Sequence, residues 1–203
     1  MKSLIGSLSV AALAGLSVSA ARLTAPNPHP AAETFAVDNV HSAVTFHAKH
    51  LGISEAYGRF DQIADKSRLV LDADSAKSSI LLVVLAESVN TNSGDRDKHL
   101  RSGDFFAAKE FPEIVFQSKQ IKASSKDWEV TGELTFHGVT KTVTARARQV
   151  GKGDSPFGDH RVGFAAEFSI DMRDYGIEFL KQNPTAVGPE VHLSVSIEGI
   201  RQP

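Results

Sequence analysis

The sequence predicts an all-β fold, an antiparallel barrel of about eight strands with a short helical excursion near residues 92–109. Three observations predict it. Apolar and polar residues alternate one for one along successive stretches, the period of a half-buried strand. Turn residues such as Gly138 separate those stretches. One stretch only, after Asn92, departs from the alternation.

In chain order, residues 35–37 offer a short strand, and Val44 and Phe46 then alternate with Thr45 and His47. Leu69 and Leu71 flank Val70. Ile80 to Ala86 is apolar on both faces, so something must cover its second side. Asn92-Ser93 can cap a short helix running towards Arg101, and Asp104 can cap another turn before Pro112. This irregular segment is expected across the barrel wall or mouth. Ile114 and Phe116 flank Val115. Val130, Gly132, Leu134 and Phe136 oppose Thr131, Glu133, Thr135 and His137, and a hairpin at Gly138 leads into Val143, Ala145 and Ala147. Phe164, Ala166, Phe168 and Ile170 alternate with Glu167 and Ser169, and Val191, Leu193, Val195 and Ile197 with Ser194 and Ser196. Strands of this number close into a barrel or stack as a sandwich, and closure removes exposed edges. The apolar face is rich in phenylalanine: Phe46, Phe116, Phe136, Phe164 and Phe168 either fill the lumen or line it.

Composition narrows the function. The 203 residues are 41% hydrophobic and 23% charged, proportions of a globular chain. The net charge is -2 and no basic tract stands out, so nucleic acid is not an expected partner. With no cysteine there is no disulfide, thiolate metal site or cysteine nucleophile. Residues 1–20 read as a cleaved signal peptide: Lys2, an apolar run from Leu4 to Val18, then Val18-Ser19-Ala20. The run is interrupted by Gly6, Ser7, Ser9, Gly15 and Ser17, so no membrane span is expected after cleavage. Residues 21–33, with Pro26, Pro28 and Pro30, read as an extended lead-in to a single domain over 34–203. The chain is therefore expected to be exported.

Three clusters are candidates for chemistry. His41, His47 and His50 do not converge as metal ligands on a regular strand, so no metal is expected there. Arg96 and His99 are helical neighbours that offer a charge and an imidazole to a ligand head group, or else belong to a solvated helix with an Arg–Asp pair. Arg173 and Tyr175 reach a barrel mouth, or else serve turn chemistry with a local ion pair. No nucleophile elbow, phosphate loop or dinucleotide fingerprint is present.

The ordered motifs His41-Ser42-Ala43-Val44-Thr45-Phe46, His50-Leu51-Gly52-Ile53-Ser54, Gly58-Arg59-Phe60, Arg96-Asp97-Lys98-His99-Leu100, Asp104-Phe105-Phe106, Phe111-Pro112-Glu113-Ile114-Val115-Phe116, Gly132-Glu133-Leu134-Thr135-Phe136-His137-Gly138 and Arg173-Asp174-Tyr175-Gly176-Ile177 resemble the YceI-like, polyisoprenoid-binding family of bacterial periplasmic proteins. The resemblance spans about Phe35 to Ile200. It implies a lipocalin-like barrel whose lumen takes an isoprenoid or quinone-like lipid, with no metal, no cofactor and no enzymatic activity. Phe46, Phe116, Phe136, Phe164 and Phe168 are then the candidates for the tail, and Arg96, His99 and Arg173 for the head group. The alternatives are an enzyme acting on such a lipid through His99 and Arg96, and a stress-induced barrel with a filled core. Homodimerisation is left open.

Overall fold

The computed structural model describes residues 31–203, so the signal-peptide reading of 1–20 and the lead-in up to residue 30 lie outside the described residues. The alternating stretches all become strands, and they form one antiparallel sheet of eleven segments. In chain order these are β1 (Glu33–Val37), β2 (Ala43–His50), β3 (Ser54–Phe60), β4 (Arg68–Leu71), β5 (Ser79–Leu85) and β6 (Val89–Asn90). Helix α1 (Gly94–Arg101) follows, then β7 (Glu113–Ser124), β8 (Asp127–Phe136), β9 (Val139–Asp154) and β10 (His160–Asp171). Helix α2 (Glu178–Gln182) and β11 (Val187–Arg201) complete the order.

The sheet closes because β1 pairs with β4 on one edge and with β11 on the other. The ring β1-β4-β5-β7-β8-β9-β10-β11 is an eight-stranded barrel. β11, at 15 residues, is long enough to pair with two strands end to end. Its Val187–Ser196 portion pairs with β2, and Gly199–Arg201 with β1. β2, β3 and β6 thereby carry the wall beyond β1, β4 and β5 towards one end, the mouth. The β2–β3 and β8–β9 turns, α1 and α2 gather there.

The strand faces follow the alternation. Phe136 and Phe164 are buried, Leu193 and Val195 are half-buried against the core, and Glu133, Glu167 and Ser194 are exposed. On the outer face Thr131 and Thr144 share a hydrogen bond of 2.9 Å across β8 and β9, and Thr135 and Thr140 one of 2.8 Å. A one-residue slip would exchange these sets, so burial itself fixes the register. The doubly apolar β5 has Val83 fully buried. The segment 61–67 runs against it: the Ala64 amide donates to the Val83 carbonyl at 2.8 Å, and Ser67 Oγ accepts from the Val83 amide at 3.0 Å.

The irregular stretch forms α1 as expected, with Ser93 as N-cap, although its hydroxyl makes no capping hydrogen bond. Instead Asp97 reaches back, and its Oδ1 accepts from the Thr91 amide at 2.8 Å and from Thr91 Oγ1 at 2.5 Å. Arg101 ties the helix to the wall by donating to the carbonyls of Glu87 and Val89 at 2.7 and 2.9 Å. No helix among the described residues is long and apolar enough to cross a membrane.

Candidate functional site: a phenylalanine-lined lumen

The inward faces of the strands enclose a cavity of about 400 Å³. Phe46 and Ala48 reach it from β2, Phe60 from β3, Leu82 and Val84 from β5, and Phe116 from β7. Trp128, Val130, Leu134 and Phe136 come from β8, and Phe164, Ala166, Phe168 and Ile170 from β10. The rings are in mutual contact along part of the wall: Phe46–Phe60 at 5.5 Å, Phe60–Phe106 at 5.9 Å and Phe106–Phe136 at 5.3 Å between centroids. Trp128 meets Phe164 edge-on at 4.9 Å. These offset and edge contacts are the favoured aromatic geometries, and they fix the wall while leaving an open centre.

The polar residues on the cavity lie towards one end. Lys49, His50, Thr91, Arg96 and His99 border it at the mouth. Arg96 is held in place, its Nε donating to Thr91 Oγ1 at 2.7 Å and its Nη2 to the Thr91 carbonyl at 2.5 Å. Thr91 is fixed in turn by Asp97, so α1 presents the guanidinium in a set orientation. His99 lies edge-on to Phe105 and Phe179, both at 5.1 Å, with Nε2 3.0 Å from Asp104 Oδ2. Asp104 thus holds an imidazole, where its sequence position suggested the cap of a turn before Pro112.

Of the residues singled out from the sequence, Phe46, Phe116, Phe136, Phe164, Phe168, Arg96 and His99 all border this one cavity. Arg173 does not. It lies in the tight turn Met172–Tyr175, exposed, with Nε 3.0 Å and Nη2 2.5 Å from the Asp171 carboxylate. The reason is local: Asp171 also accepts the Arg173 amide, which turns Arg173 outward and leaves Met172 to face the lumen. The Arg173 guanidinium in return holds the Asp171 carboxyl below its usual range. Tyr175 is buried beside Phe136 at 5.5 Å, and desolvation pushes its phenol up to about 12. Sequence reasoning missed Trp128, Phe105, Phe106 and Phe179. Trp128 shares the phase of Val130 and Phe136 and was readable from it; the other three lie in segments without a period.

The three histidines are dispersed. His50 borders the mouth, and His47 points outward, stacked on Tyr57 at 4.9 Å and on His192 at 4.8 Å. His41 bonds Asp38 Oδ2 at 2.8 Å, and these two with Glu198 bring ligand atoms within 4.8 Å of one another. A guanidinium already occupies that position: Arg161 Nη1 is 2.8 Å from Asp38 Oδ2 and 2.5 Å from Glu198 Oε1. Its Nε and Nη2 fork onto Asp159, both at 2.8 Å. Hydrogen bonds from His41, the Val40 amide and Arg161 lower the Asp38 carboxyl to about 2. Those from Arg161 and Ser155 lower Asp159 to about 2.

Residues 35–199 match the YceI-like domain. A Pseudomonas aeruginosa UPF0312 protein is 37% identical over 190 residues, 94% of this chain and 97% of that protein. Protein YceI of Escherichia coli O17:K52:H18 is 39% identical over 165 residues, covering 80% and 83%. Among solved structures, the Campylobacter jejuni YCEI protein superposes with a TM-score of 0.67 at 28% identity, over 76% of this chain and 90% of that one. Burkholderia cenocepacia BcnA shares the fold, with a TM-score of 0.71 at 22% identity, covering 80% and 98%. So does a polyisoprenoid binding domain from Saccharophagus degradans, with a TM-score of 0.62 at 16% identity, covering 83% and 98%. The chain belongs to the YceI-like family.

Proposed function

We propose that this protein is a periplasmic carrier that holds an isoprenoid or quinone-like lipid in its lumen, and binds it without chemical turnover. The observation that supports the reading is the character of the lining residues: mostly apolar, with Lys49, His50, Tyr57, Thr91, Arg96 and His99 contributed by β2, β3 and the α1 region. A prenyl tail gains about 0.8 kcal/mol for each CH₂ moved from water into such a lining. Its polar head then remains at the mouth within reach of Arg96 and His99. The fold is shared with the domain described as polyisoprenoid-binding, which fits the same reading. The N-terminal segment, read as a cleaved signal peptide, would deliver the protein to the periplasm.

Trp128 is the one tryptophan of the chain and it borders the cavity, so its fluorescence reports loading directly. Protein prepared from the periplasm should begin at about Ala21 and carry a co-purified lipid in native mass spectrometry. After delipidation, ubiquinone or a prenyl phosphate should quench Trp128 saturably, and incubation with prenyl pyrophosphate should release no phosphate. A protein that arrives empty and leaves Trp128 unchanged with every such lipid would overturn the carrier reading.

A further inference from the structure

Arg96 borders the lumen with a carboxylate behind it. Asp97 and Thr91 are each 8% exposed. Asp97 Oδ1 accepts from the Thr91 amide at 2.8 Å and from Thr91 Oγ1 at 2.5 Å, and Thr91 Oγ1 in turn accepts from Arg96 Nε at 2.7 Å. The charges of Arg96 and Asp97 are thus two hydrogen bonds apart through one hydroxyl. Thr91 offers its two donors to any oxygen acceptor, so tying the loop to the helix needs no charge at position 97. A buried carboxylate this close to a guanidinium nevertheless acts on it, because burial weakens screening. The same contacts occupy the guanidinium. Its Nε and Nη2 donate to Thr91 Oγ1 and to the Thr91 carbonyl, which uses the fork that grips a phosphate with two parallel bonds. Nη1 has no partner among the described residues.

The rest of the polar lining is offset in the same way. Lys49 stands directly across from Glu55 in the β2–β3 register, where facing side chains are close neighbours. His99 Nε2 lies 3.0 Å from Asp104 Oδ2, and Asp95 adds a further carboxylate to the first turn of α1. The lysine and the arginine that border the cavity therefore each have an acid beside them. A phosphate brought to this place would give up its water for a site that returns little Coulomb energy. A carbonyl or hydroxyl oxygen asks only for a donor, and Nη1 is one.

We infer that Asp97 sets the head-group selectivity of the lumen: by offsetting Arg96 it admits lipids whose head is an uncharged oxygen acceptor, a quinone or a prenol, and disfavours prenyl phosphates. This rests on the carrier reading and narrows it to one class of head group. Asp97 does not itself border the cavity. It acts through Thr91 and Arg96, as a positioning residue.

The test uses two lipids with the same tail, farnesol and farnesyl phosphate, together with ubiquinone. Binding to delipidated wild type and to Asp97→Asn is read as a saturable change in Trp128 emission. Asparagine keeps an oxygen to accept from Thr91 and removes the charge, and a thermal transition checks that the variant folds. Wild type should bind farnesol more tightly than farnesyl phosphate, and its phosphate affinity should change little with added salt. Asp97→Asn should bind farnesyl phosphate about tenfold more tightly than wild type does, the scale of one partly screened charge. Farnesol and ubiquinone should bind both proteins equally, and the gain on phosphate should fade as salt is added. A purely structural Asp97 would weaken all three lipids together in the variant, and that result overturns the selectivity role. So does an Asp97→Asn whose phosphate affinity equals that of wild type. So, without any variant, does a wild type that prefers farnesyl phosphate and loses it with salt; the carrier reading survives that outcome. If no lipid changes Trp128 emission, the carrier reading itself fails and the selectivity role falls with it.

Discussion

Gly58 and Gly132 each lie against a phenylalanine that borders the lumen, and the two contacts differ in what could yield. A Cβ on Gly58 would come within 2.4 Å of Phe46 Cζ and 2.8 Å of Thr91 Cγ2, both side-chain atoms. A Cβ on Gly132 would come within 2.6 Å of Phe116 Cζ but also within 2.5 Å of the Gln117 carbonyl oxygen, which belongs to the β7 backbone. Gly132→Ala should therefore cost the more, about 1–3 kcal/mol in chemical denaturation, the range for an overpacked core. Gly58→Ala should unfold closer to wild type and bind less lipid, because the Phe46 ring must swing into the space the tail would fill. Equal losses of stability in both variants would show that the backbone contact is not what matters. Of all this the sequence displays only that Gly132 shares a face with Leu134 and Phe136. That a phenylalanine from the neighbouring strand lies over it depends on cross-strand register, which periodicity along one strand does not carry.

At the level of elements, Arg161 on β10 gathers Asp38 from the β1–β2 connection, Glu198 on β11 and Asp159 from the β9–β10 turn. The folded protein holds Asp38 and Asp159 at about 2 against an ordinary 3.8, so folding favours their ionised forms. The stability they contribute is complete above about pH 4 and disappears as pH falls towards about 2. Arg161→Gln removes the leading cause of the Asp159 shift and one of the lesser causes for Asp38, which keeps His41 and the Val40 amide. The variant should be less stable than wild type by a constant amount in denaturant titrations above about pH 4. That gap should narrow steadily below it. A gap unchanged between about pH 4 and pH 2 would assign the role of Arg161 to packing of its stem. The strands were legible from alternation and α1 from a broken pattern. Arg161 was not, since an ion pair between positions 38 and 161 leaves no local trace. Arg173, which did attract notice, answers to a carboxylate two residues away.

For the molecule as a whole, strand number and alternation left a barrel or a sandwich open, and it was the family resemblance that implied the barrel. Whether its phenylalanines line or plug the lumen was not legible, because that depends on where each ring settles. Phe136 and Phe164 are packed into the wall, while Phe46, Phe116 and Phe168 remain half-buried beside the open centre. Closure rests on few contacts: Phe35, Ala36 and Val37 of β1 face Arg201, Ile200 and Gly199 of β11. A chain ending at Ile197 lacks that ladder and the Glu198 ligand of Arg161. It should lose the single cooperative thermal transition, followed by circular dichroism together with Trp128 fluorescence. Retention of a sharp transition would show that β2 and β10 secure β11 without the β1 ladder.

The pairing of β1 with β11 also sets a clock. The earliest strand of the ring finds β4 early but cannot find its second partner, β11, until almost the whole chain has been made, so the barrel stays open during synthesis while β11 is missing. Long-range pairings of this kind are the slow ones to form. On the export proposed above, that delay would be useful: the order of strands around the ring would keep the passenger unfinished until its last strand is through.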